Sequence, residues 1–257
     1  MPFSSPKWRL YDHLIGSIPP ESKVEAVTIV TYWVAVKSSL GGTGLAHILP
    51  HEGGVNPPDP QSLVGLDLKT LALKLKSWDL TETALGLAAV TAAANSALLA
   101  KGLTAASKVA GETAFDHRLE MARGKKVAVI GHFPRLEVIQ EVAREFYILE
   151  RNPQDGDLPD TAAEYLLPSV DVVFITGSSL ANKTLPRLLE LSAQAYVGLV
   201  GPSVPLWPSL FNFQVDSLSG TVFHDYDLIA EAIKKGASTS LFRYGGFRVN
   251  LGPDFQL

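Results

Sequence analysis

Cysteine is absent from this 257-residue chain. Disulfides, thiolate zinc sites, iron–sulfur ligation and cysteine nucleophiles are thereby excluded. Long basic blocks are also missing. The 22 Lys and Arg stand against 26 Asp and Glu, for a net charge of −4, which argues against a nucleic-acid partner. The opening MPFSSPKWRLYDHL lacks the apolar core and cleavage pattern of a secretory signal, so a cytoplasmic location is expected. One stretch, Leu80–Ala100, is long enough to span a membrane. It is rich in Ala and Thr and carries Glu82 and Asn95, so a helix buried in a soluble core is expected, with no membrane partner.

What is present is ordinary globular material, 46% apolar and 19% charged. It is enough for one large or two ordinary domains. The most informative run is VAVIGHFP, 127–134, followed by YILERN, 147–152. An apolar strand leads into Gly131, a proline stands where a helix would start, and a second strand ends on Glu150. That is the opening of a Rossmann-like sheet, which binds ligands at the carboxyl ends of its strands.

The chain divides near residues 101–123. Ahead of that division, Pro6–Ile15 reads as a helix and Val24–Val36 as strand, with room for a tight turn. Gly41, Gly42 and Gly44 break the pattern, residues 51–60 are loop by composition, and Lys69–Lys76 is a short helix. Asp79 and Glu82 form a capping-box-like start for a helix over 80–99. This part predicts a small α+β layer. Beyond the division, strand-like runs recur at 127–130, 147–149, 170–176, 195–200 and, more weakly, near 215 and 221–223. Helical patterns at 136–145, 162–166, 185–191 and 228–235 lie between most of them. Such alternation predicts a parallel, doubly wound sheet. The expected architecture is therefore α/β: a Rossmann-like parallel sheet domain over 106–257, preceded by a small α+β domain over 1–105.

Several motifs carry a family likeness: Gly131-His-Phe-Pro134, Glu150-Arg-Asn-Pro153 with Gly156-Asp-Leu-Pro159, and Asp171-Val-Val. Thr176-Gly-Ser-Ser-Leu, Asn182-Lys-Thr-Leu, Gly201-Pro-Ser203, and Gly220-Thr-Val with Asp225 follow. In order and spacing the chain resembles the “Putative heavy-metal chelation” family, formerly domain of unknown function 364. The N-terminal region resembles its usual companion, an enolase-N-terminal-like domain. The resemblance implies two domains with a cleft between them. It implies a role near metal-chelator, pterin or flavin-like, or corrinoid-related metabolism. A chain without cysteine cannot sequester soft metals through thiolates, so it fits making or modifying a chelator better than acting as one.

Each candidate residue has a structural alternative. Gly131-His-Phe-Pro lacks the three glycines of a dinucleotide loop, which argues against NAD. Glu150, nineteen residues beyond Gly131, either accepts hydrogen bonds from a ribose or pairs with Arg151; the resemblance favours the site. His132 is either a general acid or base or a histidine packed on the turn. Thr176, Gly177, Ser178, Asn182 and Thr184 either contact a ligand or cap helices. Gly201 and Ser203 either bind an anion or form a rigid turn; the pattern is not a nucleophile elbow. His224 and Asp225 close a strand and could add acid–base or metal groups. Asn95 in an apolar helix must meet a backbone or ligand partner, and the 41–44 turn could cover the cleft. His47 and His51 have metal-ligand spacing, but Pro50 and Gly53-Gly54 argue against the helix it needs. The expected function is an enzyme acting on a small polar or heterocyclic metabolite by condensation, hydrolysis or group transfer, with His132 and Glu150 handling protons. A non-catalytic carrier of a metal–ligand complex and an S-adenosylmethionine-dependent methyltransferase are the alternatives. Metal and cofactor are left open, and so is a homo-oligomer.

Overall fold

The structure is a computed structural model that describes residues 6–50, 56–107 and 110–255. Among the described residues, the α-helices are α1 Arg9–Gly16, α2 Leu68–Ala72, α3 Leu80–Ala100, α4 Ala114–His117, α5 Leu119–Ala122, α6 Glu137–Gln140, α7 Ala163–Leu166, α8 Leu185–Leu191 and α9 Tyr226–Lys234. The strands are β1 Val24–Ile29, β2 Trp33–Ser38, β3 Thr43–His47, β4 Lys126–Ile130, β5 Glu145–Glu150, β6 Leu158–Pro159, β7 Val172–Thr176, β8 Tyr196–Val200, β9 Ser217–Phe223 and β10 Gly246–Leu251. All ten join one sheet in the order β1-β2-β3-β9-β8-β7-β4-β5-β6, with β10 on β9. The chain is thus a mixed α/β fold built on a large sheet. The segment from β9 to β6 is parallel, and β1, β2, β3 and β10 pair antiparallel.

Three local expectations need correction. Gly41–Gly44 is not simply a turn: Gly41 has φ +96°, but the chain re-enters the sheet at Thr43 as β3. The expected helix over 136–145 is short, because Glu145 already begins β5. The final strand β10 carried no recognised signal. His51, Gly53 and Gly54 lie outside the described residues.

Helix α3 explains why β3 carries glycine. It is apolar on every side and buried along most of its length, the pattern of a core helix. Asp79 caps it, accepting the Glu82 amide at 2.8 Å. A Cβ on Gly44 would stand 1.9 Å from the Ala88 carbonyl oxygen, and one on Gly42 2.2 Å from the Ser96 amide. The helix backbone therefore lies directly on the strand backbone. By length and composition α3 could cross a membrane; here 83% of its apolar window is buried in the fold.

The two halves of the sheet meet on one edge of β9. Its other edge pairs with β10 from Leu218 to Phe223. Strand β8 occupies the first edge only at Ser217–Ser219, and β3 arrives from the opposite direction at Phe223. A gap is left around Thr221. Asn95 of α3 fills it, donating its amide to the Thr43 carbonyl at 2.6 Å and the Thr221 carbonyl at 3.3 Å. Backbone groups buried in such a gap need partners, and this side chain serves both strands at once.

Candidate functional site

Strand alternation places side chains two apart on one face, which sorts the sheet cleanly. Ala128, Ile130, Val173, Ile175, Leu199, Leu218 and Val222 face the main core with α3. On the opposite face, Val127, Val129, Val172, Phe174 and Val200 pack in one cluster with Phe115 and Ile139. Trp33, Ala35, Leu45 and Phe223 pack in another, with Ile229 and Ile233 of α9. The carboxyl ends of β8, β7, β4 and β5 lie side by side along the sheet, and the end of β3 is tied to the loop after β8.

At the end of β4, Gly131 adopts φ +102°, a region other residues avoid. Its amide is held by the Leu149 carbonyl at 3.0 Å, which fixes the loop beside the end of β5. Thr176 packs beneath it, and the Phe133 ring reaches across to Gly201. His132 follows, and its Nδ1 lies 3.3 Å from the Asp157 carboxylate. The Asp157 side chain is 3% exposed against 40% for the imidazole. Asp157 also accepts the Gln154 amide at 3.0 Å, immediately before β6, whose Leu158 and Pro159 pair with Leu149 and Glu150. A buried carboxylate thus orients an accessible imidazole, the arrangement that fixes a histidine's tautomer for proton transfer.

Glu150 ends β5 on the same face as Ile148. Its Oε1 accepts the Arg151 amide at 2.7 Å, while the Arg151 side chain turns to Asp160 at 3.9 Å. The alternative side-chain pair of Glu150 with Arg151 is therefore not formed. Across the sheet, His47 ends β3. Its ring stands edge-on to Trp33 at 5.0 Å and stacked with Tyr32 at 6.4 Å, and its amide donates to Ser203 Oγ at 3.2 Å. Burial pulls the His47 pKa below its ordinary value, and the Glu150 charge opposes that shift. The ends of β3 and β5 therefore sense one another across the strand ends.

The sign of the pH effect follows. A histidine depressed in the fold leaves the unfolded chain holding more protons as pH falls below ~6.5. Stability is then lost progressively toward the folded pKa. Glu150→Gln removes the one influence that raises the His47 pKa. An NMR titration should show the His47 midpoint moved further down, and an unmoved midpoint would break the link between the two strand ends.

Other sequence-derived candidates serve the fold. Asn95 is 2% exposed with its amide committed to Thr43 and Thr221, so neither it nor the 41–44 turn forms the wall facing Gly131. Gly177 does not admit a ligand: a Cβ there would lie 2.7 Å from the Ser203 carbonyl carbon and the Val204 amide, the chain's own backbone. Ser203 is buried and its Oγ receives the His47 amide, tying β3 to the loop after β8. Asn182 Oδ1 accepts the Thr184 amide at 3.1 Å and hydroxyl at 2.7 Å, a local turn leading into α8. Thr176 Oγ accepts the Ser178 amide at 3.4 Å. Asp225 caps α9 through the Leu228 amide at 3.1 Å. Gly131, His132, Glu150, Thr176, Ser178 and Gly201 remain at the strand ends. Asp157 was missed, although it stands in the Gly156-Asp-Leu-Pro159 motif. A groove of about 620 Å³ lies elsewhere, between β1 and α9; Glu25, Tyr226, Asp227, Glu231 and Lys234 line it, with no histidine.

Among the described residues, no three His, Asp or Glu side chains converge as a metal centre. With no cysteine in the chain, the donor set does not fit a thiophilic metal.

Comparison with known proteins agrees with this architecture. A crystal structure of a protein of unknown function from Desulfitobacterium hafniense DCB-2, in the family of domain of unknown function 364, superposes with a TM-score of 0.84 at 35% identity, covering 96% of this chain and 98% of that one. A structure of the same family from Pyrococcus horikoshii shares the fold at 22% identity and a TM-score of 0.76, covering 96% and 99%. An uncharacterized protein of Methanocaldococcus jannaschii is 31% identical over 174 residues, 65% of this chain and 64% of that protein. The chain therefore spans somewhat less than two thirds of that curated relative. The family model of domain of unknown function 364 matches residues 113–251, and that of domain of unknown function 4213, described in the same words, matches 11–94. On these matches, the chain belongs to the “Putative heavy-metal chelation” family.

Proposed function

We propose that this protein is an enzyme that moves a proton on a small polar or heterocyclic metabolite bound at the strand ends. The reading treats residues 106–257 as a Rossmann-like domain and 1–105 as its enolase-N-terminal-like companion, with the ligand held between them. The carrying observation is the His132–Asp157 pair, an exposed imidazole held by a buried carboxylate at 3.3 Å. Gly131 and Gly201 keep side-chain bulk away from the ligand, Glu150 and Thr176 offer polar contacts, and His47 faces them. Condensation, hydrolysis and group transfer all need such a proton donor and acceptor. The family description points to metal-binding compounds. The donor set favours chemistry on an organic chelator or its precursor over sequestration of the metal.

The test is turnover of a small-molecule extract followed by mass spectrometry. The wild-type chain should deplete a specific metabolite. His132→Ala should slow depletion by about a hundredfold or more, the range of a lost general acid or base. Asp157→Asn, which keeps shape but weakens imidazolium stabilisation, should slow it less. Retention of a ligand without any turnover, unaltered by His132→Ala, would make the protein a carrier instead.

A further inference from the structure

Beyond the β4 loop, a group of arginines converges with little opposing charge. Arg248 of β10 pairs in register with Thr221 and lies on the face opposite Phe247 and Val249. Its guanidinium sits 3.9 Å from the centre of the Phe242 ring, and Arg243 reaches the same ring at 5.8 Å. Arg135 arrives from the β4 loop with φ +68°, and its guanidinium bonds Asp116 at 3.0 Å. Among the described residues, no carboxylate lies within ion-pair distance of Arg243 or Arg248. Burial disfavours the Arg248 charge most; Asp116 relieves it, while Arg135 and Arg243 add to the strain.

Three guanidiniums beside a single carboxylate leave two positive charges uncompensated. Stacking on Phe242 restricts the Arg248 fork, so little further ordering is needed to present its donors. Guanidinium forks match the oxygens of phosphate and carboxylate. Several forks from different directions suit a tetrahedral dianion better than a planar monoanion. We propose that Arg135, Arg243 and Arg248 form a receptor for the phosphoryl group of a phosphate-bearing metabolite, with Asp116 holding Arg135 until the anion arrives. Arg135 follows His132 by three residues, so a bound phosphate would sit at the open side of the strand-end face. Anion capture here does not require His132 to be catalytic.

The experiment is calorimetric titration of the full chain with inorganic phosphate, and with acetate at matched ionic strength. Saturable phosphate binding is expected, with acetate much weaker. Arg243→Ala and Arg248→Ala should each weaken phosphate by about tenfold or more, the worth of a charge-assisted bond. Arg248 is half-buried, so if its variant fails to fold, the exposed Arg243 carries the test. Asp116→Asn should tighten phosphate binding by freeing Arg135. His132→Ala should leave it unchanged, which separates this site from the proton-transfer reading. Absence of saturable phosphate binding, affinity indifferent to Arg243→Ala, or acetate binding as tightly as phosphate would each overturn the assignment.

Discussion

Gly44→Ala should destabilise the protein by about 3 kcal/mol or more, beyond the usual cost of overpacking. The added methyl would lie 1.9 Å from the Ala88 carbonyl oxygen, 2.3 Å from the Ala92 amide and 2.5 Å from Thr91 Oγ1. Two of these neighbours are helix backbone and cannot rotate aside. Strand and helix must part, and α3 is buried among β2, β3, α2 and the turn at Leu73–Lys76, so the displacement spreads. Gly86, on the far side of α3, is held as tightly by Leu75, 2.0 Å from a built Cβ. By contrast Gly41→Ala meets no atom within 4 Å and costs only the strain of its positive φ, about 1 kcal/mol. Denaturant unfolding distinguishes the two. A Gly44→Ala midpoint equal to that of Gly41→Ala would mean that α3 does not lie on β3 as described.

Asn95→Asp should be the second severe lesion at neutral pH. The amide donates to two carbonyls from two halves of the sheet. An ionised carboxylate donates nothing and faces both oxygens with like charge. Its burial without a partner costs several kcal/mol or shifts its pKa upward until it is neutral. The linkage sign is definite: a carboxylate with a raised folded pKa destabilises most above that value and recovers as pH falls and the carboxyl regains a donor. Asn95→Leu, uncharged and similar in size, should lose only the two bonds, about 1–3 kcal/mol. Stability measured at neutral and acid pH should therefore show a pH-dependent deficit for Asn95→Asp and a nearly flat one for Asn95→Leu. Equal deficits at both pH values would mean that Asn95 does not bridge the two strands.

Much of the fold was legible because its elements obey local rules. The βα turn at Gly131 announced itself through an apolar run, a glycine and a proline. Helix α3 carried both its cap and its small-residue face, and Leu185–Leu191 falls where its apolar pattern lies. The misses have physical reasons. Strand β3, TGLAH, has glycine where strands usually carry bulk, because α3 occupies the space a side chain would fill. Strand β10 carries Gly246, Arg248 and Asn250 on one face, so its composition hides its burial.

The site was legible by place more than by residue. Gly131, His132, Glu150, Thr176 and Gly201 do stand at neighbouring strand ends, because parallel strands bring their carboxyl ends together. Asn182, Ser203 and Asp225 are polar for the nearer reason that helices and loops need partners for their free amides. A sequence shows a polar residue after a strand in both cases alike. The partner of His132 came from Asp157, twenty-five positions away, and the tie between β3 and the loop after β8 came from the His47 amide on Ser203. Neither could be assigned without the sheet order that brings β6 beside β5 and the end of β3 beside the loop after β8.

The most direct test is a crystal structure of the protein grown with the small-molecule fraction it depletes. The account predicts ordered ligand density against Gly131 and Gly201, within hydrogen-bond distance of His132, and on the side of the sheet that carries His47. Ligand bound instead in the groove between β1 and α9, with only water at the strand ends, would contradict it.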